Sequence, residues 1–352
     1  MIVKLILSLV ASIIKLFIII SLLISNSKAE EQNIKSYSDD KGILSLMYHR
    51  FNENKYPSTN IQMDVFKQQI EIIRNLKYNF YDPKDLEKKF HITKMEKKIL
   101  ITIDDAFSSF YEIAWPYLKK EKIPFILFVS TEAIGQNGYM TWDQVKELEK
   151  EKIAYIGNHS HTHDYLVDLK NDNLIKDINT ASTIFIKNLG YNPIFFSYPF
   201  GEYSNLIKEQ ITKNFKFSFG QHSGVIDINK DQYELPRFPI NEKYGDLKRF
   251  HFLINLQPLQ YKNLYPEEKY LTKNNPPKFY VEFFDDQQNL NNINCFSDEG
   301  NRWEKSNVSF NKNTLTINFR EKFLFRRGRV NCSLNDDGIW RWFGVQFSVQ
   351  QN

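Results

Sequence analysis

Hydrophobic residues along this chain fall into two textures. From Gly42 to about Phe252, short apolar runs alternate with amphipathic segments, the pattern of strands alternating with helices. Ile43 to Tyr48 reads as a strand. Val65 to Leu76 carries Phe66, Ile70, Ile73 and Leu76 at helical spacing, and Ile99 to Ile103 is a β-branched run suited to a buried parallel strand. The same reading predicts a helix near Ser109 to Glu121, a strand at Phe125 to Val129 and a helix at Trp142 to Glu151. Strands at Ala154 to Ile156 and Ile194 to Ser197 then flank a long amphipathic helix at Asn173 to Leu189. This order predicts an α/β barrel or a doubly wound sheet.

Pro258 to Pro277 is rich in Pro, Asn, Lys and Tyr, and a domain boundary is predicted there. Beyond it, Lys278 to Phe284, Thr314 to Phe319 and Ile339 to Val349 read as strands separated by Asn, Asp and Gly, the texture of a small antiparallel β-sandwich. In the last of these, alternation puts Arg341, Phe343, Val345, Phe347 and Val349 on one face and Trp340 and Trp342 on the other. Those two rings either pack against the first domain or stack on sugars.

The first 29 residues differ from everything that follows: Lys4, an apolar run broken by Lys15, then Leu16 to Ile24, then Ser27-Lys28-Ala29 before Glu30-Glu31. That is the pattern of a secretory signal, with an uncleaved membrane anchor as the alternative. Export places the chain in an oxidising compartment, so Cys295 and Cys332, its only cysteines, are expected to be bridged rather than free.

Composition adds limits. Hydrophobic residues make up 42% and aromatic residues 15%, enough for a sizeable core, so disorder of the whole chain is not expected. The net charge of +4 comes from Lys interleaved with Asp and Glu, which gives no support for a nucleic-acid partner. Arg326, Arg327 and Arg329 around Gly328 read as a solvated turn between two strands.

Two local patterns can carry chemistry. Thr102-Ile103-Asp104-Asp105 puts adjacent carboxylates at the C-terminal end of an apolar strand, where successive side chains point opposite ways. One acid can face a metal while its neighbour serves another role; a turn with a helix N-cap fits the same residues. Gly157-Asn158-His159-Ser160-His161-Thr162-His163 holds three of the seven His residues, and His159 and His163 are spaced to converge on one ion. A carboxylate with two imidazoles leaves positions open for water and substrate, as in hydrolytic sites, although non-haem iron oxygenases use the same ligand set.

Together these residues resemble the polysaccharide deacetylase family, also called the NodB-homology or carbohydrate esterase family 4 group, over about Ile43 to Phe252. The resemblance implies a distorted (β/α) barrel for residues 30–265, after a signal peptide at 1–29 and before a small all-β, sandwich-like accessory domain at 266–352. Thr102 to Asp105 matches the family's first motif and implies Asp104 as catalytic base and Asp105 as metal ligand. His159 to His163 matches the second and implies His159 and His163 as the other ligands, with His161 a bystander.

Ser197-Tyr198-Pro199-Phe200-Gly201 corresponds to the third motif but lacks its Arg, which in the family orients the base. Arg237, in Leu235-Pro236-Arg237-Phe238-Pro239, is the candidate substitute, and Tyr198, Pro199, Phe200, Gly201 and Arg237 are assigned to the substrate side of the site. A plain turn after a strand explains Pro199 and Gly201 equally well. The last motif, Leu-x-x-His, is matched by Leu46 to His49 near the beginning, as in the branch resembling poly-N-acetylglucosamine deacetylases. That makes His49 the candidate general acid, with His222 in reserve.

The resemblance thus implies one divalent metal ion, zinc, and an N-acetylated polysaccharide substrate. It implies a bacterial enzyme in the periplasm or outside the cell, touching membrane only through its signal segment. A binding protein on the same fold and an O-acetyl esterase are the competing readings.

Overall fold

Seven short, apolar strands form the frame of the first region: β1 (Ile43–Tyr48), β2 (Lys98–Ile103), β3 (Phe125–Val129), β4 (Ala154–Asn158), β5 (Phe195–Ser197), β6 (Phe217–Phe219) and β7 (Phe238–Pro239). The computed structural model describes residues 41–88 and 96–351, so the predicted signal segment lies outside the described residues. The seven strands pair in parallel in the order β7-β1-β2-β3-β4-β5-β6, with Asn79–Phe80 on β2 as well. Their near-continuous burial fits a parallel sheet covered on both sides.

The two edges of this sheet meet. Leu235, just before β7, donates its N–H to the Ser218 carbonyl and accepts from Gly220, which curls the sheet into a distorted (β/α) barrel. Leu100, Ile126, Phe128, Phe195, Phe217 and Phe219 pack together inside the barrel, while Leu46, Ile101, Leu127 and Phe238 face the helices, where α1 (Met63–Asn75) buries Phe66, Ile70 and Ile73 along the predicted stripe.

The single helix expected over Ser109 to Glu121 is divided. A wide turn at Phe110–Ala114 precedes α2 (Trp115–Glu121), because Pro116 has no N–H to continue an earlier ladder. The next helices are α3 (Trp142–Lys150), opened by a Thr141/Gln144 capping box, and α4 (Asn171–Leu189), ended by Gly190 in the left-handed conformation. They are followed by α5 (Asn205–Thr212) and α6 (Leu247–Leu253).

The stretch read as a linker is structured. Gln257–Pro258 and Tyr270–Leu271 pair with Ile339–Val349, and Asn263–Tyr265 pairs with Phe279–Glu282. These segments are only two or three residues long and are held by backbone pairing, so side-chain pattern could not announce them. Two sheets result, mainly antiparallel, with Gln257–Pro258 and Tyr270–Leu271 added to the first in parallel. One centres on Ile339–Val349, Arg327–Asp336 and Ile293–Ser297; the other contains Asn263–Tyr265, Phe279–Glu282, Thr314–Asn318 and Asn307–Asn311. Phe279, Val281, Leu315 and Ile317 pack against Val330, Leu334, Val345 and Phe347 between them.

One reading of this region needs correction, and one pair of alternatives is decided. Arg327, Gly328 and Arg329 do not form a solvated turn but begin the ten-residue strand Arg327–Asp336, in which alternate residues are buried. Trp340 and Trp342 are not an open platform. Trp342 lies 6.3 Å from Phe238 and Trp340 lies 5.7 Å from Phe252, so both pack against the barrel. Phe343–Val349 is buried on both faces, while Ile339 and Trp340 stay partly open, and at Gly344 a Cβ would come within 2.2 Å of the Ser223 carbonyl oxygen.

Cys295 and Cys332 are register partners on neighbouring strands and are joined by a disulfide. Closing a loop of 37 residues removes enough freedom from the unfolded chain to stabilise the fold by about 4 kcal/mol. Replacing both cysteines by Ala should lower stability by that order in equilibrium denaturation. The unreduced, denatured parent should titrate no thiols.

Candidate active site

Asp104 and Asp105 follow the C-terminal end of β2, and both carboxylates approach His159 Nε2, at 3.8 Å and 3.5 Å. Asp104 is fully buried, and its N–H is bound by the Tyr48 carbonyl at the end of β1. Asp105 and Ala106 both have positive φ, 73° and 53°. Such backbone is disfavoured for residues bearing a Cβ and persists only where its surroundings hold it. Ser160 and His163 share the feature, at 68° and 58°.

Asp104 meets Arg237, which is also fully buried. Nη1 donates to Oδ1 at 2.6 Å and Nη2 to Oδ2 at 2.9 Å. The remaining guanidinium hydrogens go to the Gly220 carbonyl, Thr102 Oγ1 and Ser197 Oγ, so all five donors are used. Burial would raise the Asp104 carboxyl, but the charges of Arg237, His159 and His49 outweigh it and hold the group down to about 2.

His159 follows β4 and is buried. Its Nδ1 donates to the Ser197 carbonyl at 2.7 Å, leaving the Nε2 lone pair free to ligate. Burial pushes this imidazole down to about 4, so it is neutral at physiological pH. His159 Nε2 and His163 Nε2 lie 3.5 Å and 3.3 Å from Asp105 Oδ1. One donor atom from each of the three residues falls within 4.8 Å of the others, and one carboxylate with two imidazoles is a donor set suited to a divalent ion. Asp104 Oδ2 is 3.8 Å from His159 Nε2 and 4.0 Å from His49 Nε2, and the His49 side chain is 13% exposed.

The histidine loop has a support that no motif revealed. Asp177, on α4, accepts from the His161 and Thr162 backbone N–H groups and from the Thr162 hydroxyl. Its signal in the sequence was an acid on the buried stripe that also holds Leu174, Ile178 and Ala181. His161 itself contacts Thr131 Oγ1 at 2.8 Å. A cavity of ≈ 310 Å³ opens beside Asp105 and His163, lined also by Glu132, Gln136 and Tyr139.

Several assigned residues stand elsewhere. Tyr198 is fully buried, donating to the Tyr233 carbonyl and accepting from Ser218, because strand alternation turns it away from the face where Ser197 meets Arg237. Its side chain has no surface to offer a polysaccharide. Pro199, Gly201 and Arg237 are also buried, leaving only Phe200 of the five partly open. The reserve acid His222 lines a separate cavity of ≈ 660 Å³ with Glu234, Lys269, Tyr261 and Trp342.

Removing Arg237 alone would leave the Asp104 charge buried without a partner, a loss of about 3–5 kcal/mol. Arg237→Met should therefore destabilise the protein by that order in urea denaturation, and adding Asp104→Asn should recover part of the loss. Equal stability of Arg237→Met and the parent would show that the pair is not holding the barrel.

Comparison with known proteins fits this geometry. Residues 91–219 match the family described as polysaccharide deacetylase. A poly-beta-1,6-N-acetyl-D-glucosamine N-deacetylase of Staphylococcus aureus (strain N315) is 25% identical over 251 residues, 62% of this chain and 85% of that protein. Among solved structures, the Streptococcus pyogenes deacetylase PplD in complex with acetate aligns with TM-score 0.55 and 22% identity over 60% of this chain and 98% of that one. IcaB from Ammonifex degensii aligns with TM-score 0.53 and 24% identity over 61% and 97%. At these identities the two structures speak for the fold, and over residues 91–219 the chain is similar to the polysaccharide deacetylase family.

Proposed function

We propose that the protein is a metal-dependent hydrolase that removes N-acetyl groups from a polysaccharide, with poly-β-1,6-N-acetylglucosamine as the substrate and zinc as the ion. The observation that carries this reading is the position of the Arg237-bound Asp104 carboxylate. It lies 3.8 Å from His159 Nε2 at the ligand group and 4.0 Å from His49 Nε2. The curated relative acts, by its name, on poly-beta-1,6-N-acetyl-D-glucosamine.

In this mechanism Asp105, His159 and His163 would hold the ion, which when bound would supply Lewis acidity at the acetamide carbonyl. Asp104 accepts a proton from the attacking water as the water oxygen adds to the carbonyl carbon. Arg237 keeps Asp104 ionised and fixes both its oxygens, so the acceptor needs no reorganisation. His49 donates a proton to the sugar nitrogen as the C–N bond breaks, releasing acetate and a free amine. The proposed export is supported by the Cys295–Cys332 bridge, which belongs to an oxidising compartment.

Acetate release from poly-β-1,6-N-acetylglucosamine oligomers, with metal content measured alongside, tests the roles separately. His159→Ala should lose the ion. Asp104→Asn and His49→Ala should keep it and slow by ~10²–10⁴. An Asp104→Asn protein turning over at the parent rate would remove the proposed base; release only from O-acetylated glycans would make the protein an esterase.

A further inference from the structure

The turn Pro199–Gly201 after β5 places Phe200 at φ 59° and ψ 5°, with Gly201 at φ 68°. At Gly201 a Cβ would come within 2.5 Å of the Gln221 backbone nitrogen, so that position requires glycine. Phe200 has no such excuse, and a left-handed phenylalanine has to be held by its neighbours. The hold comes from the far end of the chain. Gln346, almost fully buried on Ile339–Val349, donates from Nε2 to the Phe200 carbonyl at 3.0 Å and to the Gly201 carbonyl at 3.1 Å.

A second contact reaches the same wall. The Arg326 guanidinium lies 3.8 Å over the Tyr165 ring while Nη2 binds Asp168 Oδ2 at 2.7 Å and Nη1 approaches Glu202 Oε2 at 3.4 Å. Tyr165 stacks on Phe200 at 4.1 Å, and Phe200 meets the His163 ring edge-on at 4.7 Å. His159 is oriented by its hydrogen bond to Ser197, whereas His163 is set by ring contacts with His159 and Phe200. A displaced Phe200 would therefore free the more exposed of the two imidazoles.

We infer that Arg326 and Gln346 are positioning residues: from the β-rich region they clamp the Tyr165–Phe200 wall against His163 and so set the geometry of the ligand group. This rests on the reading of Asp105, His159 and His163 as metal ligands. The planar guanidinium supplies both the ring contact and the two carboxylate contacts, a combination that Lys cannot reproduce. Outer residues that orient a ligand are typically worth about 10–100-fold in metal affinity or activity.

The test uses the full chain loaded with Co²⁺ or Zn²⁺, comparing the parent with Arg326→Ala, Arg326→Lys, Gln346→Ala and, as control, Arg302→Ala, whose partners are Glu304 and Glu321. Three quantities are read: loss of metal to a chelator, the visible spectrum of the Co²⁺ form, and kcat and KM for acetate release. Arg326→Ala and Gln346→Ala should release metal or lose kcat/KM by about 10–100-fold and alter the Co²⁺ spectrum. Arg326→Lys should fall between, and the control should match the parent. Parent-like chelation, spectrum and turnover in both Gln346→Ala and the Arg326 variants that fold would overturn the proposal, even if their melting temperatures fell. A parent that binds metal yet releases no acetate would sink the deacetylase reading, while chelation and spectrum would still report on the clamp.

Discussion

The buried pair between Asp104 and Arg237 is the constraint on which the rest of the barrel end depends. Two charges taken fully out of water are tolerable only with close geometry and no unused donors, and both conditions hold here. One guanidinium thereby ties together the ends of β2, β5 and β6 and the start of β7. That places Ser197, whose carbonyl orients His159, in fixed relation to the carboxylate beside it. Ionisation of Asp104 and orientation of the neighbouring imidazole thus have a common cause.

Around this rigid centre the backbone is strained. Asp105, Ala106, Ser160, His163 and Phe200 all adopt left-handed conformations that a Cβ disfavours. Each is anchored from outside its own segment or by a short local bond: Asp177 captures the histidine loop, Ser160 Oγ accepts from the His163 N–H, and Gln346 holds the Phe200 turn. Left-handed residues also occur in turns elsewhere, such as Lys77 and Lys122, but at this end of the strands they carry the candidate ligands and are held by packing from other segments, as a preorganised site requires.

The parts of this architecture that were legible in the sequence are those whose signal is local. Ile99 to Ile103 announces a buried strand because a run of apolar and β-branched residues needs cover on both sides. His159 and His163 announce a site because their chemistry is dense within one loop. Arg237 could be named only because an Arg is missing before Pro199; its partner lies 133 positions away, and no pattern measures that distance. Tyr198 was misassigned because a motif gives neighbours along the chain, whereas the pleat decides which of them face the cleft. Asp177 and Gln346 were invisible for a related reason: a polar residue inside a helix or strand shows its purpose only once the loop it holds is beside it. The paired segments between Gln257 and Leu271 carry too few residues for any periodicity.

The order of strands has a consequence for how the chain reaches its native state. β1 is flanked by β2 and by β7, so the first strand of the described chain waits for one of the last parts of the barrel before its second edge is covered. A chain emerging vectorially has Asp104 in place long before the arginine that makes its burial tolerable. Until residue 237 is available, closure of the barrel end is opposed by an unpaired charge, which keeps the early strands open and solvated. Non-local pairing of this kind makes folding slow and keeps hydrophobic strands exposed for longer. The structure cannot lock prematurely, because its lock is encoded near the end of the barrel.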